Sequence, residues 1–232
     1  MSNEAAAGVV RVPAPPSSFP VVLNFLETDP FQVLHRVHSK RRSADEFNES
    51  PDIESRFSPI RDAAGKVVPV LYAGLTPSCA FYESLFHDRV YAGAQVNIPD
   101  SKLRERVYST LVSSRPLRLA KLFGPDLMRL GLTLDQLIHC SPDHYLQTAR
   151  WAEAIHNVFP EADGLVWTSY RGDPDAACVL FGDRIDPLHL IPFLDKVQFA
   201  DDPDLMSLVY ACAARVGVRI TVNAKSTTSS VP

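Results

Sequence analysis

Between Val67 and Ala73 the chain reads VVPVLYA, an apolar and largely β-branched run that suits a strand. Pro69 removes one ladder donor from it, so an edge or a bulge is expected at that point. Turn residues precede the run, Arg61-Asp62-Ala63-Ala64-Gly65-Lys66. After it, Thr76-Pro77 reads as an N-cap with proline at the first helical position. In the helix this predicts, Phe81 and Leu85 fall one turn apart and mark the buried side, while Glu83 and His87 share another face.

Leu34 to His38 predicts a short strand carrying Arg36, and the acidic stretch Phe47 to Ser55 a loop. Val90 to Ile98 alternates loosely, as a strand would. Asp100 or Ser101 then caps an expected helix in which Leu103, Val107 and Leu111 recur every four residues. Leu117 to Leu122 predicts a strand, Pro125 to Leu130 a short helix, and Thr133 with Gln136 a capping box. Ser141-Pro142 opens the clearest helix, which runs to Val158 with Tyr145, Ala149, Ala152 and Ile155 on its apolar stripe. On it, Trp151 and His156 read as packing and surface groups. Leu165 to Tyr170 and Ala176 to Phe181 form a hairpin-like pair around the turn Arg171–Asp175. Asp201 to Val216 predicts a last amphipathic helix, ended by Gly217, before a strand from Val218 to Val222. Strands and helices mix without a regular βαβα alternation, which argues for an α+β domain.

Residues 1–17, rich in Ala, Pro and Ser, read as a flexible arm and residues 225–232 as a flexible tail, leaving 18–224 as the folded domain. With 46% hydrophobic and 22% charged residues the chain can build a sizeable core. A net charge of -4 disfavours generic binding to nucleic acid or anionic membranes. No apolar run reaches the length of a membrane span, and the N-terminus lacks the layout of a signal peptide. The four cysteines, Cys79, Cys140, Cys178 and Cys212, make no CxxC pair, so neither a disulfide framework nor a zinc site is expected. Free, scattered thiols fit a reduced, cytoplasmic setting.

There is no GxGxxG, GxxxxGK[ST], HExxH or GxSxG in the chain. Glu83 and His87 offer two metal ligands at helical spacing but no third, so no metal is expected. Lys40-Arg41-Arg42 reads as a solvated loop or an anion-facing one. What remains is a dispersed polar set: Arg36, Arg56 within RFSPI, Tyr72 within GKVVPVLYAG, Glu83 within AFYESLFHD, and Ser169 within DGLVWTSYRG. In this order and context the set resembles the RES domain family, named for its arginine, glutamate and serine, over roughly residues 30–195.

The resemblance implies a fold similar to the ADP-ribosyltransferase core and a toxin of a bacterial toxin–antitoxin pair. It implies neutralisation by a partner with an Xre-like helix-turn-helix, and NAD as substrate. The implied reaction breaks the nicotinamide–ribose bond with water or phosphate as acceptor. A protein acceptor, and a non-catalytic NAD-binding module, are the alternatives. Homo-oligomerisation stays open. In such a site Arg36 and Arg56 would clamp phosphates through bidentate, charge-assisted bonds. Tyr72 would stack on nicotinamide or ribose, Glu83 would stabilise developing positive charge on the ribose, and Ser169 would anchor the carboxamide or a phosphate. Two departures from the family pattern stand out: Ala176–Phe181 holds no asparagine, and His38 stands where many members have tyrosine.

Overall fold

The computed structural model of the chain describes residues 11–19, 22–86 and 96–221. In chain order its elements are β1 (Phe25–Glu27), β2 (Val33–Ser39), β3 (Ile60–Arg61), β4 (Val67–Val68), β5 (Val70–Gly74), α1 (Pro77–Leu85), β6 (Val96–Pro99), α2 (Ser101–Arg104) and β7 (Arg106–Ser113). Then follow β8 (Arg118–Lys121), α3 (Gly124–Arg129), α4 (Leu134–Leu137), α5 (Tyr145–Val158), β9 (Gly164–Thr168), β10 (Ala176–Phe181), β11 (Leu190–Val197), α6 (Pro203–Arg215) and β12 (Val218–Thr221).

Eight strands form one sheet in the order β1-β8-β9-β10-β5-β2-β7-β11, antiparallel throughout except for the parallel pair β8/β9. With parallel β6/β12 and the β3/β4 hairpin beside it, this is the expected α+β architecture with mixed sheets. Alternate residues of the central strands enter different cores. Leu165, Trp167, Val179 and Phe181 pack with Ala149, Trp151, Ala152 and Ile155 of α5. Val166, Cys178 and Leu180 join Leu34, Leu71 and Leu111 in a second cluster. Burial on both faces explains why β5 and β10 are unbroken apolar runs rather than alternating ones. A third cluster joins α1 and α6 to the sheet through Phe81, Tyr82, Val209, Cys212, Val37 and Tyr108.

Several local signals form the caps their residue types predict. Thr76 caps α1, its Oγ1 accepting from Cys79 N at 3.1 Å. Thr133 and Gln136 close a capping box on α4. Gly217 follows α6 in the left-handed region, at φ 68°. All four cysteines are buried and free.

Other expectations are corrected. The helix expected through Leu103, Val107 and Leu111 stops at Arg104, and Val107 and Leu111 lie on β7. A spacing of four is an even number, so it also keeps residues on one side of a strand, and β7 is held by β2 and β11 on its two edges. The run Val67 to Ala73 is two strands, split at Pro69: β4 pairs with β3, while β5 lies inside the large sheet between β10 and β2. The helix from Pro142 begins with a 3₁₀ turn, Pro142–His144, and Ser141 makes no side-chain cap bond to it. His156, expected at the surface, is buried with Nε2 2.9 Å from Asp183 Oδ2. On α1, Leu85 is half-buried while Cys79, Ala80, Phe81 and Tyr82 are buried.

Within the segment read as an arm, Val12 is buried and Trp151 Nε1 donates to Pro13 O at 2.7 Å; just beyond it, Phe19 meets Trp151 edge-on. His87, most of the strand expected from Val90, and the tail 225–232 lie outside the described residues.

Candidate active site

Three neighbouring elements converge beside the middle of the sheet. β2 and β5 are adjacent, with His35 opposite Gly74, and α1 leaves the end of β5 directly. Arg36 stands on β2, Tyr72 on β5 and Glu83 on the second turn of α1, while Arg56 arrives on the loop before β3. All four line one cavity of about 350 Å³, within the size range of small-molecule sites. His35, His38, Tyr145 and Trp167 share the lining.

Each polar group is held before any ligand arrives. The Arg36 guanidinium is buried and donates from Nη1 to the carbonyls of Ala44 and, at 3.4 Å, Ser43. Among the described residues no carboxylate bonds to it, and burial pulls its pKa down to about 10. Arg56 Nη1 donates to Ile138 O, and its guanidinium lies over the Tyr145 ring at 5.6 Å. The Tyr72 hydroxyl accepts from Phe57 N and Ser55 Oγ, each at 2.9 Å, and its ring meets Trp167 edge-on at 6.2 Å. Burial raises its pKa, so the phenol stays protonated.

Ser169 is placed differently from the other four. It is fully buried at the end of β9, outside the cavity lining, and its Oγ donates to Glu83 Oε1 at 2.7 Å. Gly172 N donates to the same Oγ at 3.3 Å, which leaves the hydroxyl proton for Glu83. A charge-assisted bond of this length fixes the carboxylate on the cavity wall. The five residues picked from the sequence are therefore one assembly, with four at the surface of the cavity and Ser169 behind Glu83.

The electrostatics of the lining suit an anion. Arg36, Arg42, Arg56 and Arg106 face it against Glu54 and Glu83, in a chain whose net charge is -4. Arg42, from the basic run, pairs with Glu46 at 3.4 Å. His35 and His38 add no charge near neutral pH, because burial lowers both to about 4. A carbonyl can only accept, so His38 carries its proton on Nδ1, donating to Ser39 O at 3.0 Å, and Nε2 accepts from Ser109 Oγ at 2.9 Å.

The sequence reading missed His35, Tyr145, Trp167 and Arg106 as cavity residues. Tyr145 and Trp167 carried only packing signals, and no local pattern shows that helix and strand bring them to Arg56 and Tyr72. Among the described residues no group of His, Cys, Asp and Glu is placed to hold a metal ion, and no helix is long and apolar enough to cross a membrane.

No curated protein sequence matches the chain. A chain in the crystal structure of the M. tuberculosis MbcT–MbcA toxin–antitoxin complex shares its fold, with a TM-score of 0.56 at 14% identity, covering 80% of this chain and 92% of that one. The family described as RES domain matches residues 33–202, a span that contains Arg36, Arg56, Tyr72, Glu83 and Ser169 together. The chain belongs to the RES domain family.

Proposed function

We propose that this protein is the toxin of a toxin–antitoxin pair and that its cleft takes NAD and breaks the nicotinamide–ribose bond. The observation that carries the reading is Glu83, held by Ser169 at 2.7 Å on the wall of a cavity that also presents Arg36 and Arg56. Family membership supports it, as does the fold shared with a chain of a toxin–antitoxin complex. An antitoxin with an Xre-like helix-turn-helix, and cytoplasmic residence, belong to the same proposal.

The chemistry follows from the substrate's charges. Arg36 and Arg56 hold the pyrophosphate, and Tyr72 lies against the nicotinamide or ribose face. When the glycosidic bond breaks, its electron pair leaves with the pyridinium nitrogen and cancels that ring's positive charge. Nicotinamide therefore departs neutral and requires no proton donor, which is consistent with the uncharged state of His35 and His38. The ribose carbon becomes cationic, and the Glu83 carboxylate stabilises it. An acceptor oxygen then bonds to that carbon, and where the acceptor is water its extra proton passes to solvent. In this scheme Ser169 orients Glu83 rather than touching substrate, since its hydroxyl is fully buried and already committed.

Purified protein, freed of any antitoxin, is incubated with NAD, and nicotinamide and ADP-ribose products are separated with and without phosphate and with a lysate as protein acceptor. Nicotinamide release is expected, with the partner product naming the acceptor. Saturable NAD binding without release in all three conditions would refute the catalytic reading.

A further inference from the structure

We infer that Asp175 is a positioning residue for Glu83, acting through Thr76 at one end of α1 and through Ser169 at the other side of the site. This rests on the functional reading above for its kinetic consequence but not for its geometry. Ser169 and Glu83 are far apart in sequence and stand on separate elements, so something must hold the β9–β10 loop against α1 for a 2.7 Å bond to persist.

Asp175 makes that connection from both its side chain and its backbone. Its Oδ2 accepts from Thr76 Oγ1 at 2.8 Å, while Thr76 Oγ1 in turn accepts from Cys79 N at 3.1 Å as the cap of α1. A hydroxyl has one proton, so Asp175 sets the direction in which Thr76 presents its lone pairs to the helix. The first turn of α1 contains no acidic residue of its own, and Asp175 brings a carboxylate to that positive end from another part of the chain. Its backbone closes the loop: Ser169 N donates to Asp175 O and Asp175 N donates to Gly172 O, each at 2.8 Å. Gly172 N completes the circuit at Ser169 Oγ, at 3.3 Å.

The loop has no slack. A Cβ at Gly172 would stand 2.8 Å from Tyr82 Cδ2, on α1, and 3.1 Å from Ser169 Oγ. The chain thus passes closely between α1 and the serine, and Asp175 anchors its far side. Asp175 is not among the residues lining the cavity, so its effect on the reaction passes through Glu83.

The test compares Asp175→Ala, Asp175→Asn, Thr76→Val and Thr76→Ser with the unaltered protein. A displacement of Glu83 by a fraction of an ångström should lower kcat for NAD cleavage by about tenfold to a hundredfold in Asp175→Ala and Thr76→Val, with KM within about threefold. Asp175→Asn and Thr76→Ser, which keep an acceptor and a hydroxyl, should recover most of the rate. Combining Asp175→Ala with Glu83→Gln should cost no more than Glu83→Gln alone, because both remove one contribution. Crystal structures of Asp175→Ala and of the unaltered protein decide the geometry independently. Loss of the Ser169–Glu83 contact in an otherwise unchanged fold is expected, and an intact contact overturns the inference. An unchanged kcat, or full additivity with Glu83→Gln, also overturns it. If the unaltered protein releases no nicotinamide, the functional reading falls, and the pair of crystal structures still settles whether Asp175 positions Glu83.

Discussion

Replacing Glu83 by glutamine separates charge from shape. Glutamine keeps the length of the side chain and an oxygen that can accept from Ser169 Oγ, now 2.7 Å from Glu83 Oε1, so the wall of the cavity should keep its form. In the proposed cleavage, what disappears is a negative charge preorganised beside the carbon that becomes cationic. Removing one such electrostatic partner costs about 3–4 kcal/mol of transition-state stabilisation. At about 1.4 kcal/mol per tenfold change in rate, kcat should fall by roughly 150- to 700-fold. KM for NAD should stay within about threefold, since the contribution is made in the transition state rather than the ground state. Initial rates of nicotinamide release at saturating NAD read kcat, and urea unfolding shows whether the fold is intact. Glu83→Ala is less clean, because it leaves the fully buried Ser169 hydroxyl without its acceptor and adds about 1–3 kcal/mol of instability. A Glu83→Gln protein that turns over NAD within about threefold of the unaltered rate would remove Glu83 from the chemistry.

Three further outcomes are expected. Arg36→Lys should raise KM for NAD by about tenfold with little change in kcat, because an ammonium cannot hold the Ser43 and Ala44 carbonyls while presenting a planar fork to a phosphate; substrate titration of the initial rate checks it. Gly164→Ala should lower the unfolding free energy in urea by about 1–3 kcal/mol or more, since a Cβ there would stand 2.1 Å from Val179 O and force β9 away from β10; an unchanged midpoint would show that the pairing yields freely. Acidification should weaken the fold through His35 and His38, whose pKa values drop from 6.5 to about 4 on folding. The unfolded chain binds these protons first, so the stability they contribute is complete above about pH 6.5 and lost as pH falls towards 4. Discounted for partial solvent screening, each loss is on the order of 1–2 kcal/mol. Urea curves at pH 7.5 and 5 should therefore diverge less in His38→Gln than in the unaltered protein.

Features that depend on a few adjacent residues are legible along the chain. Thr76 with Pro77, and Thr133 with Gln136, announce helix starts because a cap bond spans only three residues. Asp163-Gly164 and the apolar runs on either side of Arg171–Asp175 announce the β9–β10 hairpin for the same reason. The polar set was legible too, as motif fragments in a fixed order, and Arg36, Arg56, Tyr72 and Glu83 do meet at one cavity. Properties that depend on pairing emerge only when distant segments meet. Val107 and Leu111 have a spacing that helix and strand share, and only the ladders to β2 and β11 choose the strand. β11 went unread because it is an edge strand on which Ile191 to Lys196, Phe193 among them, stay exposed, so it shows no buried periodicity. Ser169 looked like a group offered to a ligand until burial and a partner 86 positions away in sequence turned it towards Glu83. The order of residues carries the inventory of a site, but the direction of a hydroxyl or carboxylate is set by contacts between segments that the chain brings together only on folding.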